Sequence, residues 1–112
     1  MAVVAYLRVS TERQFLENQR EEIIRFAERN GMSIDKWYTE TVSGSVSSKE
    51  RKLSGVLDRM RPGDSLIVTE ISRLSRTLLE IMTILNSCIK KGVILYSTKE
   101  GYVFQNDINS KV

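Results

Sequence analysis

The sequence predicts an α/β fold, a three-layer, mostly parallel twisted β-sheet with helices on both faces. Two observations predict it. Strand-like and helix-like segments alternate as βαβαβαβ along the chain, which is typical of parallel strands joined by crossover helices. The first strand-like segment, "AVVAYLRV", is almost continuously apolar, as expected for a strand covered on both faces. With 112 residues, 41% of them hydrophobic, the chain is long enough for one compact domain.

The first half of the chain contains two strand signals and one helix signal. Residues 2–9 form the buried strand, and residues 15–30 place apolar side chains at helical spacing before Gly31, a suitable residue to end a helix. Residues 33–40 alternate as a second strand. The Ser- and Gly-rich segment 41–49, "TVSGSVSSK", predicts a flexible loop after that strand.

The second half repeats the alternation. A short amphipathic helix with its apolar face at residues 53–60 ends at the Pro-Gly-Asp of residues 62–64, before the strand "SLIVTE" at 65–70. The segment "ISRLSRT" follows, and then a longer helix that begins near residue 78 and closes with Lys90, Lys91 and Gly92. A last strand is predicted at residues 93–98, "VILYST".

Composition narrows the class of protein. The 17 Lys and Arg residues exceed the 14 Asp and Glu by three, which permits a polyanionic partner without requiring one, and ten of the 17 are Arg, the residue suited to forked phosphate contacts. Cys88, the only cysteine, lies in an apolar segment and is interpreted as a small core residue. A single cysteine also indicates a protein of a reducing compartment. The apolar N-terminal run stops at Arg8, too early for a signal peptide or a membrane span. We expect a soluble cytoplasmic protein with no membrane partner.

Polar residues collect where three predicted strands end. Because the carboxyl ends of parallel strands share one edge of a sheet, the segments after strands one, two and three are expected to meet there. The residues that this places near one site are Arg8, Ser10, Gln14, Gln19, Ser43, Arg51, Arg73 and Arg76.

The residue types at this edge favour one chemistry. The sequence has no histidine, which excludes a Ser-His-Asp hydrolase and the usual zinc sites, and its four aspartates are scattered. We therefore expect no metal. No phosphate-binding glycine loop is present in the sequence, so we also expect no cofactor. Guanidinium groups bind phosphate oxygens bidentately, and a serine among them predicts attack on a phosphodiester through a covalent intermediate that needs no ATP.

Each of these residues has a simpler interpretation when taken alone. Ser10 and Thr11 follow a strand and precede a helix, where hydroxyls commonly cap the helix. Arg73 and Arg76 are spaced as ordinary surface charges before an apolar helix. Tyr6 is most simply a core aromatic. The combination of these residues in one site, and not any single one, favours the phosphodiester chemistry.

Several motifs in order resemble one known family. "AYLRVSTERQ", Gln19, "VSG", "RPGDSLIV" and "SRLSRT" are similar to the catalytic domain of serine recombinases, the resolvase/invertase family, from about residue 3 to residue 100. The resemblance implies that a serine attacks double-stranded DNA, forming a 5′-phosphoserine link and a free 3′-hydroxyl. It also implies strand exchange within a synaptic tetramer, followed by religation.

The resemblance also implies roles for individual residues. Ser10 matches the nucleophile, Arg8 the arginine two residues before it, and Arg73 and Arg76 the pair in the RLxR segment. Gln14 and Gln19 match polar active-site positions, and Ser43 with Gly44 matches the Ser-Gly that begins the mobile loop. Tyr6 is expected to support the same site. The loop arginine is assigned to Arg51, with Lys49 as the alternative because the loop spacing differs by one residue. Ser72 stands where the family commonly has Asp, and Glu70 is the nearby carboxylate.

The same resemblance predicts the domain organisation and partners. Residues 1–105 would form the catalytic domain and residues 106–112 the start of a long helix that carries the dimer interface and contacts DNA, with a C-terminal DNA-binding domain outside this chain. The full-length protein would form homodimers and synaptic homotetramers, whereas the 112-residue chain is expected to be monomeric or weakly associated and to bind DNA weakly. Two alternatives stay open, a serine-transposase catalytic domain and a non-catalytic phosphate-binding or oligomerisation module.

Overall fold

In the part of the chain that the structure describes, five strands form one sheet in the order β2-β1-β3-β4-β5. In this computed structural model, which describes residues 1–9, 13–41, 52–75 and 77–105, the strands are β1 Val3–Val9, β2 Lys36–Thr41, β3 Ser65–Val68, β4 Ile94–Ser97 and β5 Tyr102–Phe104. Parallel pairing joins β1 to β2, β1 to β3, and β3 to β4, whereas β5 pairs antiparallel with β4. The predicted mostly parallel twisted sheet is confirmed.

Among the described residues, three α-helices connect the parallel strands: α1 Arg13–Arg29, α2 Lys52–Arg59 and α3 Leu78–Lys91. Crossovers between parallel strands are right-handed, so the change of direction between β1→β2 and β2→β3 places α1 on one face and α2 on the other. Glycine at positive φ follows two of the helices as predicted, with Gly31 after α1 and Gly92 after α3. The Gly92 N–H donates to the carbonyl oxygens of Cys88 and Ile89, which closes the last turn of α3.

The core consists of two layers because successive side chains of β1 point to opposite faces. Val4 and Tyr6 pack with residues of α2 and α3 on one face, and Ala5 and Leu7 pack with Ile23 of α1 on the other. Cys88 is buried in the first layer, as predicted, and burial raises the pKa of its thiol to about 11. The sheet is therefore covered by packed side chains on both faces, and its carboxyl edge is left as the place for a site.

The structure differs from the predicted elements at three places. Strand β2 begins at Lys36 and not at residue 33, and the backbone N–H of Asp35 just before it donates to the Val3 carbonyl oxygen. Strand β3 ends at Val68, because the chain after it turns into a short 3₁₀ helix at Ile71–Arg73. The strand β5 was not predicted; it forms a hairpin with β4 through a turn that ends at Gly101, whose φ is +71°.

Candidate functional site

Arg8 lies near the carboxyl end of the central strand β1, with β2 on one side and β3 on the other. Only 8% of its surface is exposed, so its guanidinium needs hydrogen-bond partners within the protein. Its Nε donates to the carbonyl oxygen of Arg73 at 3.0 Å, and one terminal nitrogen donates to that of Ser72 at 3.1 Å. Arg8 is thus held by the backbone of the 3₁₀ helix, 64 and 65 residues away in sequence.

Arg73 is the last residue of that 3₁₀ helix and bonds back to β1. A terminal nitrogen of its guanidinium donates to the carbonyl oxygen of Arg8 at 3.4 Å, and its other terminal nitrogen lies 4.0 Å from Glu70 Oε1. Its Nε is buried and has no hydrogen-bond partner among the described residues. Because a buried donor without a partner costs about 1–3 kcal/mol, an acceptor that reached this nitrogen would be favoured.

The position of these arginines follows from the topology. Strands β1 and β3 are neighbours, and the chain runs from β1 towards one edge of the sheet and from β3 towards the other. Ligands of open α/β sheets bind outside the carboxyl ends of the strands at such a reversal. Arg8 near the end of β1 and Arg73 just after β3 therefore flank the crevice where a ligand is expected.

Glu70 orders the start of the 3₁₀ helix. Its Oε1 lies 3.1 Å from Lys99 Nζ, and its Oε2 accepts a hydrogen bond from the Ser72 hydroxyl at 3.1 Å. Partial burial raises the pKa of Glu70, but the hydrogen bond and charge of Lys99, the Ser72 hydroxyl and the Arg73 charge outweigh it, and the net pKa is lowered. Glu70 is therefore an ionised carboxylate at neutral pH, which suits it to order cations and not to donate a proton.

A second carboxylate, which the sequence analysis missed, lies beside Arg8. Glu40 is buried at the end of β2 and is the direct neighbour of Arg8 in the strand register. The buried Tyr6 hydroxyl donates to Glu40 Oε1 at 2.7 Å. The alternation of side chains along β2 could have revealed Glu40. It places Glu40 on the same face as Tyr38, which packs on the core, and a buried acidic residue needs polar partners.

Gln19 is buried in α1, with 6% of its surface exposed. Neither the nitrogen nor the oxygen of its side-chain amide has a hydrogen-bond partner among the described residues. Its helix packs on the face of the sheet opposite to the layer that contains Tyr6. Buried amides without partners are costly, so Gln19 is a residue for which a ligand or another segment would supply the bonds.

The remaining predicted site residues cannot be placed. Ser10, Ser43, Gly44, Lys49, Arg51 and Arg76 lie outside the described residues, as does the side chain of Gln14. Of the predicted set, the structure brings Arg8 and Arg73 together. Tyr6 lies close by, because its hydroxyl donates to Glu40, the register neighbour of Arg8. Within the described ranges, no three acidic, thiol or imidazole groups are arranged to hold a metal ion, and no helix is long and apolar enough to cross a membrane.

Comparison with protein families gives one match over nearly the whole chain. The family model described as "Resolvase, N terminal domain" matches residues 3–111. Among curated relatives, the Transposon Tn2501 resolvase of Escherichia coli is 46% identical over 82 residues, which cover 70% of this chain and 40% of that protein. Serine recombinase PinR of Escherichia coli K12 is 35% identical over 94 residues, covering 81% of this chain and 46% of PinR.

Other relatives agree in extent. A resolvase of Clostridium perfringens is 30% identical over 101 residues, which cover 90% of this chain and 51% of that protein. This chain thus spans about half the length, or less, of the curated relatives that it matches.

Solved structures share the fold. The N-terminal catalytic domain of TP901-1 integrase superimposes with a TM-score of 0.77 at 19% identity, covering 99% of this chain and 86% of that one. A resolvase family site-specific recombinase from Streptococcus pneumoniae has a TM-score of 0.73 at 21% identity, covering 98% of this chain and 80% of that one.

Proposed function

This chain belongs to the resolvase N-terminal domain family, the catalytic domain of resolvase/invertase-type serine recombinases, and from that premise we propose that its protein cleaves and rejoins DNA through Ser10. The observation that carries the proposal is the pair of interlocked arginines, Arg8 and Arg73, at the carboxyl edge of the sheet. Ser10 comes two residues after Arg8 in the sequence, which supports assigning the predicted nucleophile to the same site as these cations.

The proposed reaction is a reversible phosphoryl transfer. The Ser10 oxygen forms a bond to the DNA phosphorus, and the bond from phosphorus to the 3′ oxygen breaks. One proton leaves Ser10 and one is taken up by the 3′ oxygen, so the products are a 5′-phosphoserine link and a free 3′-hydroxyl. Rejoining is the reverse attack by a 3′-hydroxyl after strand exchange. Because one phosphate ester bond replaces another, neither direction requires ATP.

The arginines would bind and stabilise the reacting phosphate. Charge accumulates on the phosphate oxygens in the transition state, and guanidinium donors that are already oriented stabilise it without reorganising. The unpartnered Nε of Arg73 supports this role, since a phosphate oxygen would satisfy it. Arg51, or Lys49 in its place, and Arg76 are proposed to complete the set from the sequence match alone.

Neighbouring side chains would support these arginines. We assign Glu70 to ordering Arg73, since its lowered pKa keeps it ionised. Tyr6 and Glu40 would hold the end of β2 against Arg8. The unpartnered amide of Gln19 and the side chains of Gln14 and Ser43 are proposed to contact DNA or the segment that carries Ser10, with Gln19 supported by its burial.

Assembly and DNA binding belong to the whole protein. Three large apolar side chains on α3 are mostly exposed, with Leu78 at 74%, Leu79 at 80% and Met82 at 57%, and such patches mark association surfaces. They support association of the whole protein into homodimers and synaptic homotetramers. We propose that these assemblies act on double-stranded DNA in the cytoplasm. We further propose that residues 1–105 are the catalytic unit and that the segment starting at 106 leads to a separate DNA-binding domain.

The test is covalent capture on a nicked recombination site. The nick lies close to the scissile phosphate, so that the fragment bearing the 3′-hydroxyl diffuses away and religation fails. The full-length protein should form a denaturant-resistant adduct at the 5′ end, and Ser10→Ala should bind the site without forming one. An adduct of undiminished yield in Ser10→Ala would refute the assignment. DNA binding by the wild-type protein without any adduct would favour the non-catalytic alternative.

A further inference from the structure

The turn between β4 and β5 is bonded to the segment that leads into the 3₁₀ helix. The backbone N–H of Thr98 donates to the Val68 carbonyl oxygen at 3.0 Å, and that of Lys99 donates to the Thr69 carbonyl oxygen at 2.9 Å. These bonds continue the pairing of β3 and β4 beyond the last residues of both strands. The turn is thus bonded to the chain as far as Thr69, two residues before the 3₁₀ helix begins.

Glu100 in this turn caps the 3₁₀ helix from outside. Its Oε1 accepts a hydrogen bond at 3.0 Å from the backbone N–H of Ile71, the first residue of that helix. The first N–H groups of a helix have no partner within it, and Glu70 at the cap position makes no side-chain cap bond. The fully buried Ser97 donates its hydroxyl to the same Glu100 oxygen, which fixes where that carboxylate lies.

The capped helix is the one that holds both arginines. It provides the Ser72 and Arg73 carbonyl oxygens that bind the Arg8 guanidinium, and it carries the Arg73 side chain. We propose that Glu100 is a positioning residue for the recombination reaction, which acts through the 3₁₀ helix to orient Arg8 and Arg73. This inference rests on the proposed function, to which it adds a residue that acts through the backbone of the 3₁₀ helix.

The chain contains a matched control for a purely structural role. The Asp35 carboxylate accepts a hydrogen bond from the Val3 backbone N–H at 2.7 Å, so it too holds a main-chain donor of the sheet. Asp35 precedes β2 and Val3 begins β1, which places this bond at the edge opposite to the arginines. Asp35→Ala and Glu100→Ala therefore remove the same kind of bond at the two ends of the molecule.

The experiment compares Glu100→Ala, Glu100→Gln and Asp35→Ala in the full-length protein. Three quantities are measured: the thermal midpoint, the rate of adduct formation on the nicked site, and the hydrogen-exchange rate of the Arg8 Nε–H by NMR. Both alanine variants should lower the midpoint, and Glu100→Ala should lower it further because it also removes the bond from the Ser97 hydroxyl. Glu100→Ala alone should slow adduct formation by about tenfold or more and speed Arg8 Nε–H exchange, as expected when a bond to a charged group is lost. Glu100→Gln should restore both, because its amide oxygen also accepts from Ile71.

Ser97→Ala gives a second route if Glu100→Ala does not fold. It removes the hydroxyl that anchors Glu100 and should change adduct formation and Arg8 exchange in the same direction by a smaller factor. The inference is wrong if Glu100→Ala, or Ser97→Ala where Glu100→Ala does not fold, matches Asp35→Ala in both adduct formation and Arg8 Nε–H exchange. It is also wrong if Glu100→Gln is as impaired as Glu100→Ala. Failure of the wild-type protein to form any adduct would instead overturn the proposed function, while the exchange rates would still report on Glu100.

Discussion

Arg8 and Arg73 each donate a hydrogen bond to the backbone carbonyl oxygen of the other, at 3.0 Å from Arg8 Nε and 3.4 Å from a terminal nitrogen of Arg73. This reciprocal arrangement ties the end of β1 to the 3₁₀ helix after β3. Two guanidiniums are thereby oriented before any ligand arrives, although their like charges repel each other. A polyanion bound between them would offset that repulsion, which is the electrostatic basis of the proposed DNA chemistry.

Replacing either arginine by lysine keeps the positive charge but removes the paired N–H donors that contact a phosphate bidentately. We expect Arg8→Lys and Arg73→Lys each to slow adduct formation by about 10²–10³-fold, the usual cost of losing one oriented transition-state donor. Single-turnover cleavage of the nicked site measures this. Arg25→Lys is the matched control, because Arg25 is an exposed residue of α1 paired with Glu21. Near-normal cleavage by both Arg8→Lys and Arg73→Lys would show that these residues contribute charge alone.

Tyr6→Phe removes the hydroxyl that donates to the buried Glu40 carboxylate. The lost bond to a charged group should lower the free energy of unfolding by about 1.5–3 kcal/mol, measured by urea denaturation. Adduct formation should also slow, because Glu40 is the register neighbour of Arg8.

Tyr38→Phe is the control for this change, since Tyr38 is the register neighbour of Tyr6 and its hydroxyl has no hydrogen bond to a described residue. A loss of stability of the same size in both variants would contradict the account of Tyr6 and Glu40.

Acid should remove the contribution of Glu70 to stability. A carboxylate with a lowered pKa in the folded state stabilises the protein above its unfolded value, near 4.5, and this contribution is lost as the pH falls through the folded value. Wild type should therefore be more stable than Glu70→Gln at pH 6, and the difference should shrink below pH 4.5. Urea denaturation at several pH values measures it. A difference that grows on acidification would contradict the assigned partners of Glu70.

Cleavage should proceed without a metal ion. The sequence has no histidine and its aspartates are not clustered, so the chemistry is assigned to a hydroxyl and guanidiniums. Adduct formation on the nicked site should keep its rate after exhaustive chelation and without ATP. The assay must follow the cleavage step itself, since Mg²⁺ also affects DNA shape and synapsis. Activity abolished by chelator and restored by one particular divalent ion would contradict the scheme.

The sequence predicts those parts of the protein that depend on local pattern. Alternating strand and helix signals gave the parallel sheet, and the position of Arg8 near a strand end placed it at the carboxyl edge. The three-residue strand β5 escaped prediction because so short a segment has little periodicity and is stabilised by pairing with β4. A sequence pattern therefore reveals the longer strands and helices but not a strand of three residues.

The bonds around the site could not be predicted for a different reason. Tyr6 and Glu40 are 34 residues apart, and Glu100 and Ile71 are 29 apart, so these contacts exist only once the strands have their register. Residue types at strand ends indicate that a site exists there, whereas the partners of each side chain follow from tertiary structure.

The most direct measurement of the central claim is the identity of the residue linked to DNA. Trypsin cleaves after Arg8 and Arg13, so digestion of the trapped adduct should release the peptide at residues 9–13, "VSTER", still bearing a 5′-phosphonucleotide after nuclease treatment. Fragmentation mass spectrometry then shows whether the nucleotide is attached to Ser10 or to Thr11. The account predicts the added mass on Ser10. Attachment to Thr11, to Ser43 or to any tyrosine would contradict it.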